Sequence, residues 1–358
     1  MSLEKRVDLI KKIESIRGSI VICYLTTLRQ GISGFMADDQ VRVFFDHLLK
    51  LPQRPVKKLD IFLVSNGGQS TVPWRLTALF REYAKSVGVL LPYRAYSAAT
   101  MLALGADEIV MHPFAEMGPI DPTVQNAFNP VGPNNQILGI GVEDVSSYIQ
   151  FVKQTVGITH EDELIEALKA LTDKVHPLAL GNVERFLAQS RMIATKILKT
   201  HMKTADDHII EDIVENMASR LYFHGHPINR AEARDDLKLK IVNPPSKLET
   251  AMWELYKLYE EEFKNDVPFN PVGDMMKASR NPIPAAQPPQ AGTPTPTAQS
   301  QHGTPLDADY ELLHALVESA RLSSLNYSKR HFTLMLGQPQ MQMRDDNLEH
   351  GWRHQPVP

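Results

Sequence analysis

The chain has 358 residues, 43% of them hydrophobic, which is enough for one sizeable packed domain with extensions. A net charge of -4 with the two signs interspersed gives no electrostatic case for a nucleic-acid partner. A lone cysteine, Cys23, excludes an internal disulfide, and no apolar run approaches the ~20 residues that span a bilayer, so a cytoplasmic chain without a membrane partner is expected.

Taken in chain order, the residues alternate between helix and strand patterns. Residues 2–16 predict a short charged helix rather than a secretory leader. Residues 19–26 predict the first core strand, with Cys23 as a buried, inert thiol. A two-glycine loop at 29–34 leads to an amphipathic helix at 38–51 with Val41, Phe44, Phe45 and Leu48 inward. Residues 59–66 read as a buried strand running straight into Gly67-Gly68. The next helix has Pro73 in its first turn and Leu76, Leu79, Phe80 and Tyr83 at helical spacing. A strand at 87–92, a small-residue helix starting after Ser97 and a short strand at 108–111 follow. This alternation predicts an α/β fold with parallel strands and right-handed crossovers.

The second half is helical until its end. Residues 123–140 are rich in Asn, Pro and Gly and predict a long loop of the kind that covers a site. Helices are predicted at 142–156, 161–175, 178–202, 206–221 and 231–237, a strand at 240–242 and a helix at 248–263. Residues 281–305, rich in Pro, Ala, Gln and Thr, predict a disordered linker. An amphipathic helix is expected at 307–327, with Leu312, Leu313, Leu316 and Val317 on one face, and disorder at 338–358.

Two junctions carry chemistry. Paired glycines after a strand let the backbone turn sharply and present free N–H groups, although an ordinary strand-to-helix turn uses them too. Ser97 stands where a helix begins, so its hydroxyl is read either as an N-cap or as a nucleophile beside unpaired amides.

The ordered set of motifs resembles the ClpP/crotonase superfamily over about residues 20–242, and within it the serine dehydrogenase proteinases, or ClpP-class serine proteases. The matching segments are Ser65-Asn66-Gly67-Gly68, Tyr96-Ser97-Ala98-Ala99-Thr100, Ala106-Asp107-Glu108-Ile109-Val110-Met111-His112-Pro113, Gly118-Pro119-Ile120-Asp121-Pro122, and His224-Gly225-His226-Pro227-Ile228 with Glu232-Ala233. The resemblance implies a core of repeated β-β-α and βαβ units with added helices and a partly disordered C-terminal extension. Together with the composition of the C-terminal third, it divides the chain into an N-terminal helix at 1–18, a catalytic domain at 19–245, a helical extension at 246–280, the linker at 281–305 and a tail with a short amphipathic helix at 306–358. It further implies a serine peptidase with no cofactor, acting on peptides as a trimer-based homo-oligomer.

By the same resemblance Ser97 is the nucleophile, the N–H groups of Gly68 and Ala98 form the oxyanion hole, and Gly67 and Tyr96 contact substrate. ClpP has its histidine where this chain has Asp121, and its aspartate where this chain has His224. The partners are thus exchanged, giving Ser97, Asp121, His224. Other bases stay open: His226, His176, or a lysine as in the serine–lysine dyad of signal-peptide peptidase A. No lysine occurs between Lys85 and Lys153, and Lys153, Lys174, Lys196 and Lys199 fall on helices. His112 reads as a strand-end histidine, and Asp107 and Glu108 as caps of the strand entrance. His224-Gly225-His226 alone lacks the further ligands of a zinc site. No Gly-x-Gly-x-x-Gly follows a strand, so a dinucleotide is not expected. A catalytically idle scaffold and an enzyme acting on acyl-CoA are the competing readings.

Overall fold

A computed structural model describes residues 2–120, 123–124, 126–133, 135–203, 207–220, 226–279, 305–335 and 342–357. Helix α1 (Ser2–Arg17) leads into strand β1 (Ile20–Thr26), helix α2 (Asp39–Leu48), strand β2 (Leu59–Val64), helix α3 (Val72–Tyr83) and strand β3 (Val87–Leu91). A two-residue strand β4 (Arg94–Ala95) precedes helix α4 (Ala98–Leu104), and strands β5 (Glu108–Met111) and β6 (Glu116–Met117) follow. The loop expected at 123–140 is pinned at its ends, where β7 (Thr123–Val124) pairs antiparallel with β8 (Ile140–Gly141).

Beyond it come α5 (Val142–Gln150) with a π-helical turn at Phe151–Thr155, then α6 (Glu161–Thr172) and the long α7 (Pro177–Lys199). Helix α8 (Asp207–Glu215), also prolonged by a π-helical turn at Asn216–Arg220, precedes α9 (Arg230–Asp235) and strand β9 (Ile241–Val242). Helices α10 (Ser246–Phe263) and α11 (Pro271–Ser279) and strands β10 (Leu306–Ser319), β11 (Leu322–Met335) and β12 (Gln342–Pro356) complete the described chain.

The main sheet runs β12-β11-β10-β1-β2-β3-β5-β9. Strands β1, β2, β3, β5 and β9 are parallel, as the alternation of elements demands. Register aligns Ile22, Ile61, Val89, Ile109 and Ile241 in one row across all five. Because side chains alternate faces along a strand, that row enters the cluster shared with α2, α3, α4, α7 and α8. The neighbouring row, Cys23, Phe62, Leu90 and Val110, enters a second cluster with Ile10 and Ile13 of α1 and Leu248, Met252 and Leu255 of α10. The result is a mixed α/β fold, a sheet between two helical layers. Its strands are apolar on both faces, as buried parallel strands are.

The expectation for the C-terminal segment is overturned. Residues 307–327 form no helix; they fall in β10, β11 and the turn between them, and much of 338–358 forms β12. The apolar spacing and the Leu, Ala and Glu content favour a helix locally, but β1 presents an open edge that must be paired. Strand β10 satisfies it, with Ile22 opposite Ser319 and Thr26 opposite Ala315. Tertiary pairing outweighs local propensity here. Most of the expected linker lies outside the described residues.

Candidate active site

The turn that carries Ser97 is set by backbone pairing on both sides. Ser65, just past β2, bridges Ala95 of β4 in parallel, with Tyr96 N–H donating to Ser65 O at 3.0 Å. On its other side Ala95 accepts from Gly118 N–H at 2.9 Å. The chain then folds back, Ala99 N–H donating to Tyr96 O at 2.9 Å. Ser97, second in this turn, has φ 52° and ψ −118°, close to the type II′ geometry that glycine usually supplies. It is the N-cap residue of α4, yet its side chain makes no capping hydrogen bond. Capping therefore does not explain the hydroxyl, and strained backbone of this kind is found at functional sites.

Gly67 and Gly68 are fixed by what surrounds them. Gly67 has φ +96°, and a Cβ there would lie 2.6 Å from Tyr96 O and 2.9 Å from both Ala98 N and Ser97 Cβ. A Cβ on Gly68 would run into the backbone N and O of Met36. Both are glycine because backbone closes in on either side. Met36 N–H donates to Gly67 O at 2.7 Å and Gln69 N–H to Met36 O at 2.9 Å. The Ala98 N–H, first in α4, belongs to the set that no helical carbonyl can accept.

Polar groups beneath the turn hold it. The Ser65 hydroxyl accepts from Gly67 N–H at 3.0 Å and from the Thr26 hydroxyl at 2.8 Å. The buried Thr100 hydroxyl lies 2.7 Å from Ala95 O and 2.9 Å from Gly118 O. Tyr96 turns its ring onto Gly118 and donates its hydroxyl to Glu116 at 2.7 Å. Burial, and then the Glu116 carboxylate, push that phenol up to about 12. Arg94 donates to the same carboxylate oxygen at 3.0 Å and stacks on Tyr96.

Ser97 opens onto a cavity of about 460 Å³. One wall is Asn66, Gly68, Gln69, Ser70 and Thr71; the other is Met101, Ile120, and Phe186, Gln189 and Ser190 of α7. Ser190 donates its hydroxyl to Ile120 O at 2.7 Å, which ties α7 to the segment beside the site. The sequence pattern marks α7 as a helix with a buried face but contains no signal that Phe186, Gln189 and Ser190 would face the serine.

Ser97, Gly67, Gly68, Ala98 and Tyr96 thus come together as a group. Asp121 and His224 both lie outside the described residues. His226, within them, sits 2.7 Å from the Glu232 carboxylate. His176 caps α7, its Nδ1 accepting from Leu178 N–H at 3.1 Å, and stacks on Phe128. His112 accepts from Phe114 N–H and stacks on Trp253, and burial holds its pKa below the usual value. Lys153, Lys174, Lys196 and Lys199 are exposed, and Lys199 is paired with Asp207. Asp107 and Glu108 are held by Arg81 and by Lys58 with Arg17. Among the described lining residues there is no histidine or lysine.

Two uncharacterized proteins of Methanocaldococcus jannaschii are similar to this chain. One is 29% identical over 126 residues, 34% of this chain and 42% of its own length. The other is 24% identical over 202 residues, 56% of this chain and 59% of its own length. The chain thus spans about half the length of these curated relatives. Among solved structures, a mutant of the 1510-N membrane-bound stomatin-specific protease is 14% identical with a TM-score of 0.35, covering 67% of this chain and 84% of that one. A second mutant of that protease, in complex with a substrate peptide, is 14% identical with a TM-score of 0.37, covering 64% and 77%. Residues 1–138, which carry both glycines, Ser97 and the turn that brings them together, match the family of ClpP-like SDH-type serine proteinases, the family that the motifs resemble.

Proposed function

We propose that the protein is a serine peptidase with Ser97 as nucleophile. The observation that carries this reading is the strained turn at φ 52°, which presents an uncapped hydroxyl to the cavity beside Gly68 and Ala98. Ser97 Oγ attacks the scissile carbonyl and gives its proton to a base. The tetrahedral oxyanion is held by the N–H groups of Gly68 and Ala98, the amine leaves with the proton, and water hydrolyses the acyl-enzyme. Loss of one such donor costs about 2.7–4 kcal/mol of transition-state stabilisation.

The base in this proposal is His224, with Asp121 fixing its tautomer. Two features of the flanking residues favour it. Ile120, directly before Asp121, lines the cavity. Ile228, four residues after His224, pairs antiparallel with Met117, next to the Gly118 that bonds Ala95. Peptide substrates, a trimer-based assembly and a cytoplasmic location belong to the same proposal. Among the described residues no helix is long and apolar enough to cross a membrane.

A fluorophosphonate probe tests the assignment. The expected result is a single adduct on the peptide containing Ser97, absent in Ser97→Ala, with an unchanged thermal midpoint. An unlabelled but folded parent overturns the nucleophile. Binding of CoA without labelling would then favour thioester chemistry in the same oxyanion hole.

A further inference from the structure

A second cavity, of about 340 Å³, lies at the opposite end of α4 from Ser97. Its floor is apolar, built from Leu104 and Ala106 at the end of α4, Ile109 of β5, Leu198 of α7 and Leu239. Its mouth carries Lys238, Lys240, His201 and Asp107. Most of these polar groups are already engaged. His201 Nε2 donates to Leu104 O at 2.8 Å, and burial lowers the pKa of its ring. Asp107 accepts from Arg81 and from Val87 N–H, each at 2.7 Å. Arg81 also donates to Gly105 O at 2.7 Å. Lys238 reaches back to the carbonyl of Asp235. Lys240 is exposed, and its ammonium has no hydrogen-bond or ion-pair partner among the described residues.

We propose that this cavity binds a monoanionic carboxylate with an apolar tail, the tail on the leucine floor and the carboxylate at Lys240. The charge at the mouth sets the class. The Asp107 carboxylate is satisfied by Arg81, while Lys238, bonded to a neutral carbonyl, and Lys240 keep their charges, so the mouth carries a positive excess and Lys240 is the ammonium left to pair with an anion. The volume suits a small ligand, and an apolar cavity with few convergent polar groups is the usual form of such a site. Helices α4 and α7 line both cavities, so a ligand here would touch the elements that frame Ser97.

A fatty acid and the free C-terminus of an apolar peptide share this chemistry. Calorimetry on the full chain carrying Ser97→Ala, so that hydrolysis plays no part, uses sodium decanoate and acetyl-Leu-Leu, with decanamide and acetyl-Leu-Leu-amide as uncharged controls. At least one carboxylate should bind with one-to-one saturation, its amide should not, and the tighter carboxylate names the source. Lys240→Gln, at an exposed position, should weaken binding by about tenfold. Absence of saturable binding by either carboxylate, equal binding of the amides, or an unchanged affinity in Lys240→Gln each overturns the proposal.

Discussion

Ser97 pairs a conformation that costs on the order of 1–3 kcal/mol with a hydroxyl that no cap uses. The surroundings that enforce it are backbone atoms, which cannot move aside as a flexible side chain does. Gly67→Ala would add a Cβ at φ +96°, 2.6 Å from Tyr96 O. It should lower unfolding free energy by about 1–3 kcal/mol and abolish fluorophosphonate labelling; a urea titration with a labelling assay checks both. Stability and labelling both equal to the parent would mean that the turn tolerates a side chain. Gly67, Gly68 and Ser97 are legible in the sequence because each stands at a strand-to-helix junction that the local residue pattern marks. Phe186, Gln189 and Ser190 are not, because nothing local states which element α7 will lie across.

At the scale of elements, buried polar contacts fasten the C-terminal strands to the helices. His47 of α2 is 2% exposed, its Nδ1 3.2 Å from the Ser319 hydroxyl and its Nε2 3.0 Å from that of Ser324, which in turn contacts His354. Burial, and then His354, lower its pKa from 6.5 to about 3. In that interval the unfolded chain binds the proton and the folded one does not, so stability rises with pH and is lost as pH falls below 6.5. The expected contribution is about 1.4 kcal/mol per pH unit down to about pH 3. In His47→Gln the stability curve over that range should be flatter by this amount, as urea titrations at several pH values will show; parallel curves would remove His47 from the account.

On the other face of the sheet, Arg6 of α1 donates to the fully buried Glu318 of β10 at 2.7 Å, and Tyr259 of α10 donates to the same carboxylate at 3.2 Å. Glu318→Leu strips the guanidinium of that partner and leaves Glu262 as its ion-pair partner among the described residues. A cost of about 3–5 kcal/mol is expected, measurable by denaturant unfolding, and a cost below 1 kcal/mol would show that the pair behaves like a surface bridge.

For the whole molecule, strands β10 to β12 are part of the sheet rather than an appendage. A chain truncated at residue 304 would expose the edge of β1, leave Arg6 without Glu318 and remove Val317 from one core and Leu316 from the other. It should aggregate or lack a cooperative melt, by size-exclusion chromatography and circular dichroism. A monodisperse, cooperatively folded truncation would restore the tail reading.

The sequence by itself determined the strand–helix alternation up to β5, the two glycines and the position of Ser97. These follow from periodicity over a few residues and from steric demands that only particular side chains meet. The tertiary structure alone decided that 306–335 pair as strands, that α7 walls the serine's cavity and that His176 and His112 serve as a cap and a stacking partner. Those outcomes depend on contacts between residues far apart in the chain, where an open sheet edge or an unfilled face outweighs the preference of the local segment.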